Sequence, residues 1–328
     1  MNERMISTIG AVAIGRNEGA RLRRCLTSLV GQCDRIIYVD SGSTDDSVAF
    51  ARGIGAIVVS LDTSVPFTAA RARNAGFAAL QQAGPTDYVQ FVDGDCAVEP
   101  GWASTGRQML DANPDIGIVA GWRTEINPAR NVYHAMIEVE WHRPTGNIRS
   151  CGGDMLVRSS VFTAIGGFNP RIIASEDEEF CLRVQDHKMR VHRLPVVMTL
   201  HDVDTTRLGQ WWQRTVRAGH GFAEVGGMQP RHFVPERRRV WFYGGFCPLV
   251  LLAGLITGVW PLVALSLFAY FYNWMRTTQG LRRTGQPLGQ AAHHALFLTL
   301  SKIANMQGML TFYLRRWRGA DMQIIEYK

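Results

Sequence analysis

Chemistry is most concentrated in this chain at Asp93-Gly94-Asp95. The triplet closes an apolar run, Tyr88-Val89-Gln90-Phe91-Val92, whose short, β-branched and aromatic composition reads as a buried strand. Two carboxylates two residues apart at a strand end can converge on a hard divalent cation, Mg²⁺ or Mn²⁺, and that cation can hold a diphosphate. The same triplet also suits a turn with a solvated acidic pair, so its neighbours decide the reading. A second acidic group, Ser175-Glu176-Asp177-Glu178-Glu179, is approached through the glycine-rich stretches Cys151-Gly152-Gly153-Asp154 and Gly166-Gly167. Ser175 with Glu178 predicts a capping box for a helix running to about His187. Acids there also compensate a helix macrodipole, which accounts for some of them but not for the glycine-rich approach. His201-Asp202, after a strand expected over 196–200, offers either an imidazole to a Mn²⁺ site or a histidine hydrogen-bonded in a loop.

The elements that must position these groups alternate. Residues 9–60 read as β-α-β-α-β: a strand over 10–14, a helix over 18–29 with Leu22, Leu26 and Leu29 at helical spacing, a strand over 35–39, a helix over 46–52 that Ser43 or Thr44 can cap, and a strand over 56–59. A further helix over 69–81 leads to the strand before Asp93. Such alternation predicts an α/β fold, a Rossmann-like, mostly parallel sheet with helices on both faces. Ligands on such sheets bind at the carboxyl ends of strands, where Gly15 to Asn17, Asp40 to Ser43 and Asp93 to Asp95 all fall. A dinucleotide site would need Gly-x-Gly-x-x-Gly after the first strand, and Gly15-Arg16-Asn17-Glu18-Gly19 is not that pattern.

The 328 residues carry a net charge of +7 and are 46% hydrophobic, with mean hydropathy near zero, which excludes a disordered or wholly membrane-embedded chain. The basic groups Arg237-Arg238-Arg239, Arg276, Arg282-Arg283, Arg315-Arg316 and Arg318 lie late in the chain beside apolar segments. That placement suits anionic lipid headgroups, and the first half has no basic stripe interleaved with aromatics, so no nucleic-acid partner is expected. The six cysteines, Cys25, Cys33, Cys96, Cys151, Cys181 and Cys247, show no zinc spacing and fit reduced thiols of a cytosolic domain. The first apolar stretch, 9–14, is too short for a secretory signal.

Phe242 to Met275 contains no Asp, Glu, Lys or Arg over 34 residues. One membrane helix takes about 20 such residues, so the stretch predicts a hairpin turned at Trp260-Pro261, with arginines at both ends on the cytoplasmic side. Over 291–314 the polar positions His294, Ser301, Asn305 and Gly308 share one face, predicting an interfacial helix, with a third span as the alternative. The domains expected are 1–235 for catalysis and 236–328 for membrane anchoring. Residues Trp211, Trp212, Arg214 and Arg217 read as an amphipathic helix near acceptor, membrane or core.

Five pieces occur in order: Ile14-Gly15-Arg16-Asn17-Glu18, Val39-Asp40-Ser41-Gly42-Ser43-Thr44-Asp45, Ala72-Arg73-Asn74-Ala75-Gly76, Asp93-Gly94-Asp95 and Glu176-Asp177. Together they resemble the inverting nucleotide-sugar glycosyltransferases of family two, with the GT-A fold, over residues 9 to about 220. The C-terminal apolar region looks like the membrane anchors that many members carry. The resemblance implies a nucleotide-sugar donor with Asn17, Glu18, Asp40, Arg73, Asp93 and Gly94 around it. It implies Mn²⁺ or Mg²⁺ on Asp95 with Asp93 and, from the residue reading, His201. It implies Asp177 as catalytic base supported by Glu176, and Gly153 and Asp154 on the acceptor side, where Arg214 and Arg217 also stand as candidates. Two departures stand out. Gly15 replaces the usual proline after the first strand, and the stretch Gln210 to Arg217 does not match the Gln-x-x-Arg-Trp of processive members.

The expected function is transfer of a sugar to a hydroxyl of a lipid-linked or surface-glycan acceptor. The catalytic domain would face the cytoplasm at the plasma or inner membrane, with membrane lipids as partners and the oligomeric state open. A polyprenyl phosphate acceptor is the near alternative, but it is already ionised and needs no base, so Glu176-Asp177 favours a hydroxyl. A nucleotidyltransferase would want a basic glycine-rich loop after the first strand, where only Arg16 stands. A catalytically silent sugar-nucleotide or glycan-binding membrane module would retain binding without turnover.

Overall fold

The alternation of β-branched runs with helix-period segments is carried into the computed structural model, which describes residues 6–325. The first half runs β1 (Ile9–Gly15), α1 (Ala20–Leu29), β2 (Arg35–Asp40), α2 (Ser47–Gly53), β3 (Ile57–Ser60), α3 (Ala69–Ala83) and β4 (Tyr88–Asp93). It continues as β5 (Cys96–Val98), α4 (Trp102–Ala112), β6 (Ile116–Glu125), α5 (Val132–Trp141), β7 (Gly146–Ile148), β8 (Met155–Arg158), α6 (Ser159–Ala164), α7 (Glu176–Asp186) and β9 (Arg190–His201). These strands make one sheet in the order β3-β2-β1-β4-β8-β6-β9-β5, with β7 on β9. The first four are parallel, as helical crossovers require. Beyond β4 the sheet turns mixed: β8 runs antiparallel to both β4 and β6, while β9 is parallel to β6. This is the GT-A-like α/β architecture, and Asp93 and Asp95 flank its central strand end.

β4 is covered on both faces, which is why its Val89, Phe91 and Val92 are fully buried. Phe91, Phe162, Phe168 and Phe180 stack at centroid separations of 4.4–5.6 Å and seat α7 against the sheet. Two expected caps are absent. α2 begins after Asp46 without a side-chain cap, and Ser43 instead accepts from Asn17 N. Ser175 adopts φ +63 and makes no cap bond, so the expected capping box does not form; Asp177 Oδ1 instead accepts from Glu178 N at 2.9 Å.

The chain divides into two compact units, Met1–Asp204 and Thr205–Lys328. The change in composition near 235 therefore falls inside the second unit, after α8 (Leu208–Met228). That unit continues with α9 (Val234–Arg239), a π-helical turn (Val240–Phe246), α10 (Cys247–Thr257), α11 (Trp260–Arg283) and α12 (Leu288–Trp317). Val234–Thr257 is a continuous helix, long and apolar enough to cross a membrane. It ends at Gly258, whose φ of +72 turns the chain; Trp260 and Pro261, expected at the turn, open the next helix instead.

α12 covers the segment expected as an interfacial or third helix. Its polar stripe, His294, Ser301 and Asn305, is buried, and Leu296, Leu300, Leu310 and Leu314 are exposed. Gly308 lies on the buried face because a Cβ there would overlap Val216 O of α8.

Candidate active site

The loops after β1 and β2 are stapled together. Asn17, held at φ +55, donates its N–H to Ser43 Oγ at 2.9 Å and accepts from Thr44 N at 2.7 Å. Asp40 is buried and committed to its own turn, accepting from Tyr38 Oη at 3.0 Å and from Gly42 and Ser43 N–H at 3.1 and 3.0 Å. Glu18 pairs with Arg21 at 2.8 Å. Asn17, Glu18 and Asp40 thus shape the edge of the cleft.

At its centre the sequence expectations change. Arg73, on α3, is almost fully buried and bridges two acids, Asp93 at 2.6 Å and Glu176 at 2.7 Å. Arg123 reaches Asp93 at 3.3 Å and Asp154 at 2.8 Å, with its guanidinium over the Trp141 ring. Asp93 therefore has both oxygens in ion pairs and ties Arg73 to Arg123. Burial alone would raise its pKa; Arg73 and then Arg123 outweigh that and hold it below the usual range. Asp154, expected on the acceptor side, is sealed: it accepts from Asp93 N at 2.9 Å, Thr199 Oγ1 at 2.8 Å and Arg123 Nε at 3.0 Å. Gly153 is also part of this brace, since a Cβ there would overlap Arg73 Nη2. Gly94 packs under the β1 end, donating to Ile14 O at 2.8 Å.

Asp95 and His201 meet beside this brace. His201 Nε2 lies 3.7 Å from Asp95 Oδ2, and Cys96 Sγ completes a cluster whose ligand atoms all lie within 4.8 Å of one another. Burial would lower the imidazole pKa, but Asp95 and the bond to Glu125 overturn it and push it up to about 9. Burial pushes the Cys96 thiol far above its ordinary value, and a hard cation prefers the oxygen of Asp95 and the nitrogen of His201 to a sulfur. One carboxylate oxygen plus one imidazole suits Mn²⁺, which accepts nitrogen more readily than Mg²⁺ does.

Glu176 and Asp177 open α7 behind the strained Ser175. Glu176 is buried on Arg73, and Asp177 is half-buried. Burial, with Glu176 and Glu178 close by, pushes the Asp177 carboxyl up to about 7. A carboxylate tuned there can take a proton at neutral pH. Arg214 and Arg217 lie on α8 in the second unit, both half-buried.

Three residues at the centre escape a motif reading: Arg123, Glu125 and Cys96. The first two end β6 as Arg123-Thr124-Glu125, a charged residue at every second position closing an apolar run. That is the same signature that marks Asp93 and Asp95.

Residues 12–165 match the model of glycosyl transferase family 2, and residues 131–207 match that of the N-terminal domain of galactosyltransferase. The pre-mycofactocin glycosyltransferase of Mycobacterium tuberculosis is 26% identical over 270 residues, covering 77% of this chain and 54% of that one. This chain thus spans about half the length of that relative. A glycosyltransferase of Rickettsia conorii is 44% identical over 59 residues, 18% of this chain and 21% of its own. Among solved structures, the mannosyltransferase PcManGT of Pyrobaculum calidifontis, in complex with GDP-Man and Mn²⁺, superposes with a TM-score of 0.63. It is 13% identical, over 94% of this chain and 87% of that one. Glucosyl-3-phosphoglycerate synthase of Mycobacterium tuberculosis, with Mn²⁺, UDP-Glc and phosphoglyceric acid, gives 0.50 at 19% identity, over 67% of this chain and 80% of the other. These likenesses establish the fold.

Proposed function

We propose that the first unit moves a sugar from a nucleotide-diphosphate donor to an acceptor hydroxyl, with inversion at the anomeric carbon. The observation that carries this is one guanidinium: Arg73 ties Glu176, beside the poised Asp177, to Asp93, beside Asp95. A proton acceptor and a cation site are thereby held in one rigid frame. Asp95 and His201 would hold a divalent cation, Mn²⁺ in preference to Mg²⁺, which when bound offsets the charge growing on the leaving diphosphate. Asp177 takes the proton of the attacking hydroxyl, and the new glycosidic bond forms as the bond to the diphosphate breaks on the opposite face. Glu176 and Arg73 keep Asp177 in place and set its charge. Asn17, Glu18, Asp40 and Gly94 form the nucleotide side of the cleft.

The second unit is read as a membrane anchor that places the catalytic unit on the cytoplasmic face, near a lipid-linked or surface-glycan acceptor. The support is the apolar helix Val234–Thr257 and a surface of exposed leucines, phenylalanines and tryptophans flanked by arginines.

The test is release of nucleoside diphosphate from a panel of nucleotide sugars in mild detergent with Mn²⁺. One donor should be turned over by the intact protein and not by Asp95→Ala. Turnover that persists undiminished in Asp95→Ala and in Asp177→Asn would sink the reading.

A further inference from the structure

β9 ends between two partners. His201 sits opposite Cys96 of β5 on one side and opposite Glu125 of β6 on the other. The β6–β9 pairing shifts register between Ala120 and Trp122 and again between Trp122 and Arg123. A one-residue slip exchanges the faces of a strand, so these shifts decide which β6 side chains reach the site. After them Arg123 and Glu125, two residues apart, point to the same face.

Glu125 has no exposed side-chain surface. Its Oε1 meets His201 Nδ1, its Oε2 accepts from Val203 N at 3.4 Å, and its own N–H donates to Glu138 Oε2 at 2.7 Å. A carboxylate only accepts, so Nδ1 carries a proton. The other ring nitrogen, Nε2, is the one that faces Asp95 Oδ2 at 3.7 Å. Isolating a carboxylate from water is costly unless it is hydrogen-bonded or paired. Placing Glu125 where its one strong partner is this imidazole therefore makes its geometry consequential for the ring.

We propose that Glu125 is a positioning residue: it holds the His201 ring with Nε2 turned toward Asp95, so that the two can close on a divalent cation. The proposal rests on the reading of Asp95 and His201 as cation ligands. Carboxylates behind a ligating imidazole fix its tautomer and orientation, and their loss typically weakens metal binding about 10–100-fold. Glu125 does this from an adjacent strand, so the ring is aimed by sheet register and not by a mobile loop.

The experiment titrates Mn²⁺ into the full chain and reads the free aquo ion by electron paramagnetic resonance, with metal-free unfolding temperature measured in parallel. Glu125→Ala and Glu125→Asp should weaken Mn²⁺ binding about 10–100-fold. Glu125→Gln should keep it within about threefold, because an amide oxygen still accepts from Nδ1–H. If Glu125→Ala does not fold, the Gln-to-Asp ratio carries the result. Lowered unfolding temperatures with unchanged Mn²⁺ affinity in Glu125→Asp would overturn the proposal and leave a structural pair. Asp95→Ala separates the two readings. Wild-type affinity in that variant overturns the cation site and this proposal with it. Loss in Asp95→Ala with no loss in Glu125→Asp overturns the positioning role alone.

Discussion

The two units bury opposite things. In the first, Val12, Leu26, Phe91 and Ile118 are inside, and the ionised groups gather at one end of the sheet, each paired or hydrogen-bonded. In the second, His220, His294, Ser301 and Asn305 are inside, while Leu249, Ile256, Leu265, Phe268 and Phe271 are more than half exposed. A chain buries what its solvent rejects. Water accounts for the first arrangement, and the hydrocarbon surround proposed above would account for the second, where polar side chains face the bundle interior. Under the proposed function the contrast also separates the labours: fixed charge in the unit proposed to do chemistry, apolar surface in the unit proposed to anchor it.

The largest test of the contrast removes the proton acceptor. Asp177→Asn should cut transfer to a hydroxyl acceptor by about 10²–10⁴-fold, with donor binding by calorimetry unchanged. Asp95→Ala should lose about 10²–10³-fold in turnover and its dependence on added Mn²⁺. Both should leave vesicle binding as it was; a loss there would mean the units do not divide the work.

On the other side, replacing Leu249, Leu265, Phe268 and Phe271 together by glutamine should lower sedimentation with anionic vesicles at least ~10-fold, given about 1.5–3 kcal/mol per buried apolar side chain. Activity on a soluble acceptor analogue should persist. Unchanged vesicle binding would break the comparison.

The pH profile sharpens it. Turnover should rise with pH through about 7 as Asp177 loses its proton. Folding follows the opposite sign. The folded carboxyl binds its proton more tightly than the unfolded one, so stability falls as pH rises from the ordinary carboxylate range to about 7. Asp177→Asn escapes this, and should unfold at least ~2 °C above wild type at pH 8, with the gap closing below about pH 4. The smallest effect expected is Gly153→Ala, whose Cβ would displace Arg73 at about 1–3 kcal/mol by thermal unfolding.

Some of this was legible in order along the chain. Asp93, Asp95, Glu176 and Asp177 announce themselves because each pair is local and each closes or opens a regular element. The parallel half of the sheet follows from strand–helix alternation. Other parts were not legible in this way. Asp154 was placed on the acceptor side by the resemblance alone; the structure buries it under Arg123 and Thr199, which no local pattern foretold. Arg73 resembled a nucleotide contact, yet it is spent between two acids. Ser175 had the spacing of a cap, yet its backbone is left-handed.

Composition and period therefore determined which residues share a strand end or a helix face, because both depend on backbone geometry within a few residues. Tertiary structure alone decided what each face meets. The stripe of His294, Ser301 and Asn305 on α12 was correctly one face, but period cannot say whether that face turns to water or to another helix. In the same way Glu125 and His201 are far apart in sequence, and only the register of β6 on β9, set by three local shifts, brings the carboxylate to the ring.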